Sequence, residues 1–469
     1  MLRELWLYSK RVWPVVFIYL LLAAALLYRF QVYPSVVRNT DAFGYVDIGL
    51  AIREHGLFSD LRILGTHRTY GYPLIVYLYS LIGGLDPLRI ALVAGISQLT
   101  SYGIAVLFLA SRISTYSRTF AHSIAIGLLL NPIVVALVAD VLSESVTLII
   151  VVLALVCLFN SARAQTAFGI LLWAIIGAAL TNYSVMIRPS NIFVLAAWNS
   201  AFLLQLCLSR QGINRGVLLP AYAAGWVVSA AIAWSPQYLY NASLGAFSIL
   251  PVYPLFDVQI KWGIILLKYV TVVVSDHAEP FNFINPWCVP TVPDVQSGIW
   301  YLEHPLRGIL TIAGHVFHAF NVEYPFTYVY NTNPFYSLPV SFAMWIVTVI
   351  GIFNGLKKNF EFFFRFRSVD SAALGLVVFI DSLVFMVIGL NGFLAVETRF
   401  NLIPIAAVSV LAVEFILTFR SQPRALKTLL VGGAIGVALL GSVISEISRS
   451  AAVAAKLAAA EYSPLCLTK

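Results

Sequence analysis

Long apolar runs separated by short polar turns dominate the chain. The first covers 13–30, and most of the others follow one another at short intervals. A helix of about 20 apolar residues crosses the ~30 Å hydrocarbon core of a bilayer. Each run near this length is therefore predicted to be a membrane span. The predicted spans are 13–30, 88–110, 119–138, 142–160, 167–186, 190–208, 217–235, 338–356, 371–390, 400–419 and 428–446.

Three shorter apolar runs are not predicted to span. The run 71–85 has Pro73 near its start and paired glycines at its end, so we expect it to lie at the membrane surface or dip into it. The runs 262–275 and 308–320 are bordered or interrupted by lysines and histidines and are predicted to be surface-lying helices. If both instead crossed, the total would rise from about eleven spans to thirteen without changing the sidedness of the rest. The lysines and histidines are Lys261, Lys268, His315 and His318.

The basic residues indicate which loops face the cytoplasm. Lys and Arg accumulate in cytoplasmic loops, and with 71–85 left out of the spans almost every basic cluster in a short loop falls on one side. The first run has a basic start like that of a signal peptide, but no small-x-small cleavage site follows it. We therefore predict a retained first span, a cytoplasmic N-terminus, an outer C-terminal tail, and two long outer segments, 31–87 and 236–337.

The composition agrees with a multi-pass membrane protein. Hydrophobic residues make up 60% of the 469 residues and charged residues 11%, with a mean hydropathy of +0.88. Soluble domains are about 45–50% apolar and ~25% charged. These values exclude a soluble globule, a disordered chain, a coiled coil and a disulfide-rich scaffold. The net charge of +8 fits inner-face Lys and Arg and does not indicate nucleic acid. The four cysteines show no metal or disulfide spacing.

Three regions are expected in an all-α polytopic fold without internal repeats. Residues 1–235 form a transmembrane core that includes the outer loop 31–87. Residues 236–337 form a large outer region, and 338–469 supply the C-terminal spans.

The first outer loop contains the first candidate functional residues. Tyr45, Ile48 and Ile52 recur at helical spacing, which predicts an amphipathic helix on the membrane surface. Asp41 at its N-terminal end is either a helix cap or a general base held at the interface. The segment His67-Arg68 could bind an anionic lipid headgroup through the guanidinium, or Arg68 could simply reach the interface.

Further charged residues lie at predicted outer turns. Asp140 and Glu144 are four residues apart, so they would share one helix face, although Glu144 could instead help to cap a helix. Arg188 and Arg399 are either turn anchors or functional cations, Arg399 with Glu397 nearby as a local pair. Two acids predicted within spans have no strong functional interpretation, and these are Asp381 and Glu414.

Taken in order, these motifs resemble the GT-C glycosyltransferases, near the protein O-mannosyltransferase and aminoarabinose lipid A transferase branch. The resemblance covers about 40–210 well and 390–415 loosely. The segment 236–337 has no counterpart, and because the family-like residues lie elsewhere it is expected on the acceptor side. The matching elements are Asp41-x-x-x-Tyr45 with Gly56, Arg68-x-x-Gly71-Tyr72-Pro73-Leu74, Ser143-Glu144-Ser145, Arg188-Pro189-Ser190 and Glu397-Thr398-Arg399-Phe400.

The resemblance implies a first outer loop with two surface helices. It also implies inverting transfer of a hexosyl or pentosyl group from a polyprenyl-phosphate donor at the outer face. Asp41 matches the family's first-loop catalytic acid, and Glu144, or less closely Asp140, matches the second-loop acid. Arg68 stands near the phosphate-binding basic residue. A single acid at 41, instead of an adjacent acidic pair, departs from the protein mannosyltransferases and makes a protein acceptor less expected.

The residue types suit this chemistry. An acceptor hydroxyl needs a positioned base, and cations stabilise the phosphate as it leaves. The expected catalytic pair is Asp41 and Glu144, and the expected substrate-binding residues are Tyr45, His67, Arg68, Asp140, Arg188 and Arg399. No cofactor is required, although acids could hold a divalent cation through oxygen ligands.

The expected partners are a lipid-linked sugar, a lipid, glycan or protein acceptor, and membrane lipids. A bacterial inner membrane is the expected location. A transporter or lipid flippase, and a surface-polysaccharide polymerase or ligase, are the alternatives.

Overall fold

The computed structural model consists mostly of helices. It describes residues 2–38, 40–56, 68–208, 215–251, 255–274, 277–287, 299–324, 326, 328–365 and 371–458. The helices before residue 210 are α1 (Leu2–Arg11), α2 (Trp13–Val32), α3 (Ser35–Arg38), α4 (Asp41–His55), α5 (Gly71–Gly83), α6 (Pro87–Ile113), α7 (Arg118–Leu129), α8 (Pro132–Ala139), α9 (Ser143–Arg163), α10 (Ala167–Ile187) and α11 (Ile192–Leu208).

The second part of the chain adds helices and three short strands. The helices are α12 (Arg215–Ser243), α13 (Leu255–Ile265), α14 (Ile299–Glu303), α15 (Pro305–Phe320), α16 (Pro334–Arg365), α17 (Ser371–Asn391), α18 (Leu402–Leu417) and α19 (Arg424–Ala458). The strands are β1 (Leu266–Val273), β2 (Ala278–Ile284) and β3 (Tyr328–Val329). Single 3₁₀ turns at Pro189–Asn191 and Thr398–Asn401 lead directly into α11 and α18.

Among the described residues, ten helices are long and apolar enough to cross a membrane, and every predicted span coincides with helix. The predicted span 119–138 is two helices, α7 and α8, bent by 57°. Asn131 and Pro132 account for the break, because Pro132 starts α8 and the Asn131 side chain accepts hydrogen bonds from the first amides of that helix. The total is therefore ten, or eleven if this bent pair is one span.

Many large apolar side chains lie on the surface of the helix bundle. Leu20 is 58% exposed, Ile232 70% and Phe385 79%, each within a helix long enough to cross a bilayer. A soluble protein rarely exposes apolar area on this scale. The exposed residues instead suit contact with lipid, which supports a multi-pass membrane protein.

A helix is predicted after Asp41, and α4 lies there and packs against α5. The close approach depends on Gly49, since a Cβ there would lie 2.8 Å from the Val76 side chain and 3.1 Å from the Tyr77 amide nitrogen. The α5 helix has 13 residues, too few to be a span, as predicted for 71–85. The first long segment thus carries two short helices packed on each other.

The prediction of surface helices was wrong for most of 262–275. Helix α13 ends at Ile265, and the chain continues as β1 in a three-stranded sheet of order β2-β1-β3. The run 266–273 is rich in β-branched and aromatic residues, which favour a half-buried strand. The strand β1 also pairs with the segment before α18, because the Tyr269 amide donates to the Val396 carbonyl at 3.0 Å. The run 308–320 is helical, within α15.

Charged contacts at the far ends of the helices agree with the predicted sidedness. Arg112 pairs with Glu4 at 2.8 Å and donates to Asn160 near the last turn of α9. Lys358 pairs with Glu414 near the last turn of α18. An α-helix extends about 1.5 Å per residue. The ion pairs and hydrogen bonds of Arg112 and Lys358 therefore lie far from the first turns of α9 and α18. Two of the basic residues predicted to be cytoplasmic, Arg112 and Lys358, therefore lie near the helix ends away from those first turns.

Candidate active site

Three arginines and three carboxylates meet where several helices begin or end. The carboxylates come from the first turns of α4 and α9 and from the segment before α18. The arginines come from the segments before α5, after α10 and before α18. We refer to the six side chains as the outer cluster, after the predicted side of the membrane. They are Asp41, Arg68, Glu144, Arg188, Glu397 and Arg399.

Asp41 lies between two guanidinium groups. The Arg68 Nη2 atom is 3.3 Å from one carboxylate oxygen, and the Arg399 Nη2 atom is bonded to the other. The side chain of Asp41 is still 44% exposed, the largest exposed fraction in the outer cluster. The capping interpretation was wrong, since Thr40 is the N-cap of α4 and its hydroxyl accepts from the Ala42 amide. Asp41 therefore presents an accessible, ion-paired carboxylate.

Glu144 is the buried acid of the outer cluster. Its carboxylate is bonded to Arg188, lies 3.7 Å from the Nε atom of Arg399 and accepts from the Ser143 hydroxyl at 2.9 Å. The N-cap of α9 is Leu142, whose side chain makes no cap hydrogen bond, and the Glu144 carboxylate accepts from its own backbone amide in the first turn. Glu144 thus joins the Arg188 turn to the Arg399 turn.

Arg399 connects all three acids. Its Nε atom donates to a Glu397 carboxylate oxygen at 2.7 Å, while Nη2 reaches Asp41. The Arg399 side chain is 8% exposed and that of Glu397 1%. The sequence suggested only a local Glu397–Arg399 pair, and the structure shows that this pair also reaches both α4 and α9.

Arg68 is held over an aromatic ring. Its guanidinium carbon lies 3.9 Å from the centre of the Tyr45 ring, and the Tyr45 hydroxyl donates to Ser143 at 3.1 Å. A glycine opposite Arg68 leaves room for this approach, since a Cβ on Gly44 would lie 3.2 Å from Nη2. Tyr45 therefore bridges the Arg68 side of the site to the start of α9.

Two aromatic residues outside the predicted site also border the outer cluster. The Phe400 ring lies 4.7 Å from the Arg188 guanidinium carbon and 5.3 Å from that of Arg399. Tyr269 on β1 packs edge-on against Phe400, and burial, with the Glu397 charge next, raises its phenol pKa well above the ordinary value. Tyr269 lies outside the predicted set because its run is predicted to be helical, and the β-branched and aromatic content of that run is the signal that could have indicated a strand.

Glu397 has an unusual environment for a carboxylate. Its pKa is raised to about 7, chiefly by burial, with Arg399 lowering it and the charges of Asp41 and Glu144 raising it. A single arginine shared by three acids cannot compensate each of them fully. Glu397 is therefore the acid of the cluster that can change protonation near neutral pH.

Not every predicted site residue joins the outer cluster. Asp140 is fully buried in an ion pair with Arg29, and the bend between α8 and α9 separates it from the face of Glu144. His67 lies outside the described residues. Asp381 interacts with Asn359, and Glu414 accepts from Lys358 and Asn354 at the opposite end of the bundle. The structure thus brings together Asp41, Tyr45, Arg68, Glu144, Arg188 and Arg399.

The side chains of the outer cluster are better suited to binding an anion than a metal cation. Within the described part of the chain, no group of three or more His, Cys, Asp or Glu side chains is arranged to hold a metal ion. Each carboxylate of the cluster instead faces at least one guanidinium. Guanidinium groups bind phosphate and carboxylate oxygens in pairs.

Comparisons with protein-family models, with curated proteins and with solved structures find no match to this chain.

Proposed function

We propose that the protein is a membrane glycosyltransferase of GT-C type. In this proposal it transfers a sugar from a polyprenyl-phosphate donor to an acceptor hydroxyl by one inverting displacement. The observation that carries the proposal is the exposed Asp41 carboxylate between Arg68 and Arg399. The resemblance of the motifs around these residues to the GT-C glycosyltransferases supports it.

Anion exchange at the arginines would prepare the base. A donor phosphate competes with Asp41 for Arg68 and Arg399, since phosphate oxygens accept the same guanidinium donors. As the arginines turn to the phosphate, Asp41 gains an oxygen that can accept a proton. Because Asp41 is 44% exposed, an acceptor can approach it from solution.

The proposed step is a displacement at the anomeric carbon of the donor sugar. The acceptor oxygen forms a bond to the anomeric carbon while the bond from that carbon to the phosphate oxygen breaks. The electron pair of the broken bond stays on the phosphate, and the hydroxyl proton passes to Asp41. Arg68 and Arg399 stabilise the negative charge that develops on the leaving phosphate. One displacement inverts the configuration at the anomeric carbon.

Glu144 and Arg188 have a supporting role in this proposal. Glu144 is buried and engaged by two arginines, so Asp41 is the better placed base. The Glu144–Arg188 pair fixes the turn after α10 and presents Arg188 beside Phe400. An aromatic ring next to a cation is a suitable surface for a sugar ring and its phosphate. The outer-cluster arginines supply the positive charge that a divalent cation would otherwise bring.

The proposed orientation follows the positive-inside rule. The outer cluster lies at the end of the helices opposite to the basic residues of the short loops. In this proposal the site faces the outer side of the membrane, the membrane is a bacterial inner membrane, and lipids, glycans or proteins are the acceptor classes.

The decisive experiment compares Asp41→Asn with the matched control Asp47→Asn, an exposed acid on the same helix. Cells carrying each variant as the sole copy are analysed by mass spectrometry of surface glycans and envelope lipids. We expect a sugar-bearing species of the wild type to disappear in Asp41→Asn and persist in Asp47→Asn, with equal protein in the membrane. Retention of every such species in Asp41→Asn would exclude Asp41 as the base.

A reconstituted assay separates this proposal from transport. Purified protein in vesicles is given labelled polyprenyl-phosphate sugars and an envelope-lipid extract. A new glycosidic bond supports the transferase. Movement of label across the bilayer without such a bond would support the flippase instead.

A further inference from the structure

Glu397 is buried next to Arg399 and contacts a different nitrogen of its guanidinium from the one that reaches Asp41. Its side chain is 1% exposed, and one carboxylate oxygen accepts from the Arg399 Nε atom at 2.7 Å. The same guanidinium uses Nη2 for Asp41. The Glu397 contact therefore sets the direction in which Arg399 presents its remaining donors.

The backbone around Glu397 is held on both sides. Val396 exchanges backbone hydrogen bonds with β1, its amide donating to the Leu267 carbonyl at 3.2 Å. After Glu397, the 3₁₀ turn Thr398–Asn401 leads into α18. Glu397 is thus anchored to the sheet and to a span at once, and such an anchor keeps a buried side chain in one position.

The charges around Glu397 are balanced only while the site holds no anion. Arg399 faces it from its own segment, Asp41 from α4, Glu144 from α9 and the Tyr269 phenol from β1. Three arginines match three carboxylates in the outer cluster. An added phosphate diester would leave one excess negative charge in a mostly buried site, and an uncompensated buried charge is costly.

Glu397 is the acid best placed to remove that excess charge. Asp41 is half-exposed and can remain charged in contact with water, and Glu144 keeps Arg188. Within the described part of the chain, the cation paired with Glu397 is the shared Arg399, which the phosphate would also engage, and its other partner is the uncharged Tyr269 phenol. Burial already raises the pKa of Glu397 to about 7, so little further perturbation is needed to protonate it.

We propose that Glu397 is a positioning residue that aims Arg399 at an anionic phosphate and takes up a proton from solution when that phosphate binds. This inference rests on the proposed function, because it assumes that the donor phosphate occupies the outer cluster. The proton adds to a Glu397 oxygen, no bond to the ligand forms or breaks, and the protonated carboxyl still accepts from Arg399 through its other oxygen. Release of the phosphate returns the proton to solution.

The test measures phosphate binding together with proton uptake. The probe is a short-chain polyprenyl methyl phosphate, a diester that keeps a single charge through the neutral range, titrated into the full-length protein in detergent. Calorimetry in two buffers of different ionisation enthalpy, repeated from pH 6 to 8.5, gives affinity and protons bound. The variants are Glu397→Gln, which keeps an oxygen acceptor for Arg399, Glu397→Ala, which does not, and the distant control Glu279→Gln.

We expect wild type and Glu279→Gln to take up between about half and one proton near pH 8. Their affinity should fall about tenfold towards high pH for each unit by which binding raises the pKa. Glu397→Gln should bind with no linked proton and little pH dependence, at least as tightly as wild type at pH 8. Glu397→Ala should bind more weakly at every pH, because Arg399 loses its orienting contact.

The outcomes separate the two proposals. Binding by wild type without proton uptake, or uptake that persists in Glu397→Gln, would overturn the inference and leave the proposed function intact. Equal affinity of Glu397→Ala and wild type would contradict the positioning role. Absence of binding by wild type, with binding also absent for a polyprenyl phosphate, would overturn both.

Discussion

The Arg399 guanidinium is bonded to the Asp41 carboxylate although 358 positions separate the two residues. This contact joins the first turn of α4 to the turn that begins α18, so the C-terminal spans complete a site that starts in the first long segment. Arg399 also holds Glu397 through Nε, so two nitrogen atoms of one planar group bind two different acids. A lysine has a single charged atom and cannot form both contacts in this way.

Arg399→Lys is therefore expected to reduce transfer of sugar strongly while the protein still inserts and folds. We expect a loss of about tenfold to a hundredfold, comparable to the loss of one charged hydrogen bond in a transition state. The measurement is the initial rate of transfer from a labelled polyprenyl-phosphate sugar. Arg420→Lys, an exposed residue at the opposite end of α18, is the control. Equal rates in both variants would show that Arg399 does not engage the phosphate.

The buried pair of Glu144 and Arg188 is expected to contribute to stability. Glu144→Gln should lower the free energy of unfolding by about 3 kcal/mol, because it leaves Arg188 without its charged partner in a mostly buried site. The exposed pair Lys261–Asp257 is the control. Asp257→Asn should change the free energy of unfolding by less than about 1 kcal/mol. Chemical denaturation in detergent measures both. Similar effects from the two substitutions would contradict the assigned difference in burial.

Asp140 is expected to matter for stability and not for the chemical step. Its partner Arg29 is also buried, so Asp140→Asn should lower the unfolding free energy by about 3 kcal/mol. The transfer rate of each folded molecule should stay near that of wild type. The double variant Arg29→Gln with Asp140→Asn should regain part of the stability. A large fall in transfer rate without loss of stability would instead show that Asp140 takes part in substrate binding.

The pH dependence of stability should report the raised pKa of Glu397. A carboxyl whose pKa is higher in the folded state than in the unfolded state binds more protons when folded. Its contribution is therefore most favourable below the unfolded value of 4.5 and is lost as the pH rises to about 7. Glu397→Gln should remove this loss, on the order of 2–3 kcal/mol. Thermal midpoints of the variant and wild type should thus diverge in favour of the variant between pH 4.5 and 7.

The contact of Gly71 with α10 is expected to be important for the position of Arg68. A Cβ at Gly71 would lie 2.8 Å from the Ile187 amide nitrogen and against the carbonyl of Met186. Gly71→Ala should push the start of α5 away from α10 and weaken the Arg68 contact with Asp41, lowering the transfer rate about tenfold or more. Gly432→Ala, where a Cβ would meet nothing within 4 Å, is the control. A Gly71→Ala enzyme with wild-type rate would contradict the tight packing at this point.

The sequence predicted most of the local structure because its signals act over the length of one helix. A run of about 20 apolar residues is sufficient to indicate a span, and the run of 71–85 was short enough to be excluded. The same local rules did not identify β1. Its residues are as apolar as those of a surface helix, and the strand exists because β2, β3 and Val396 supply its hydrogen bonds.

The candidate site was predictable as a set of residues but not as an arrangement. Scarce charges at the predicted outer turns pointed to Asp41, Arg68, Glu144, Arg188 and Arg399 before any contact was known. Asp140 looked equivalent to Glu144, since four residues separate them. Only the bend after α8 shows that one acid joins Arg29 and the other Arg188.

The sequence by itself determined that the chain belongs in a membrane, where its long apolar helices lie, and which turns between them carry the few charged residues. These properties depend on hydrophobicity and charge over about 20 neighbouring positions. The tertiary structure decided which charged side chains form ion pairs, that Glu397 is buried against Arg399, and that Tyr269 and Phe400 border the site. Such contacts join segments hundreds of positions apart, and they follow from how the helices and the small sheet pack, which no local pattern encodes.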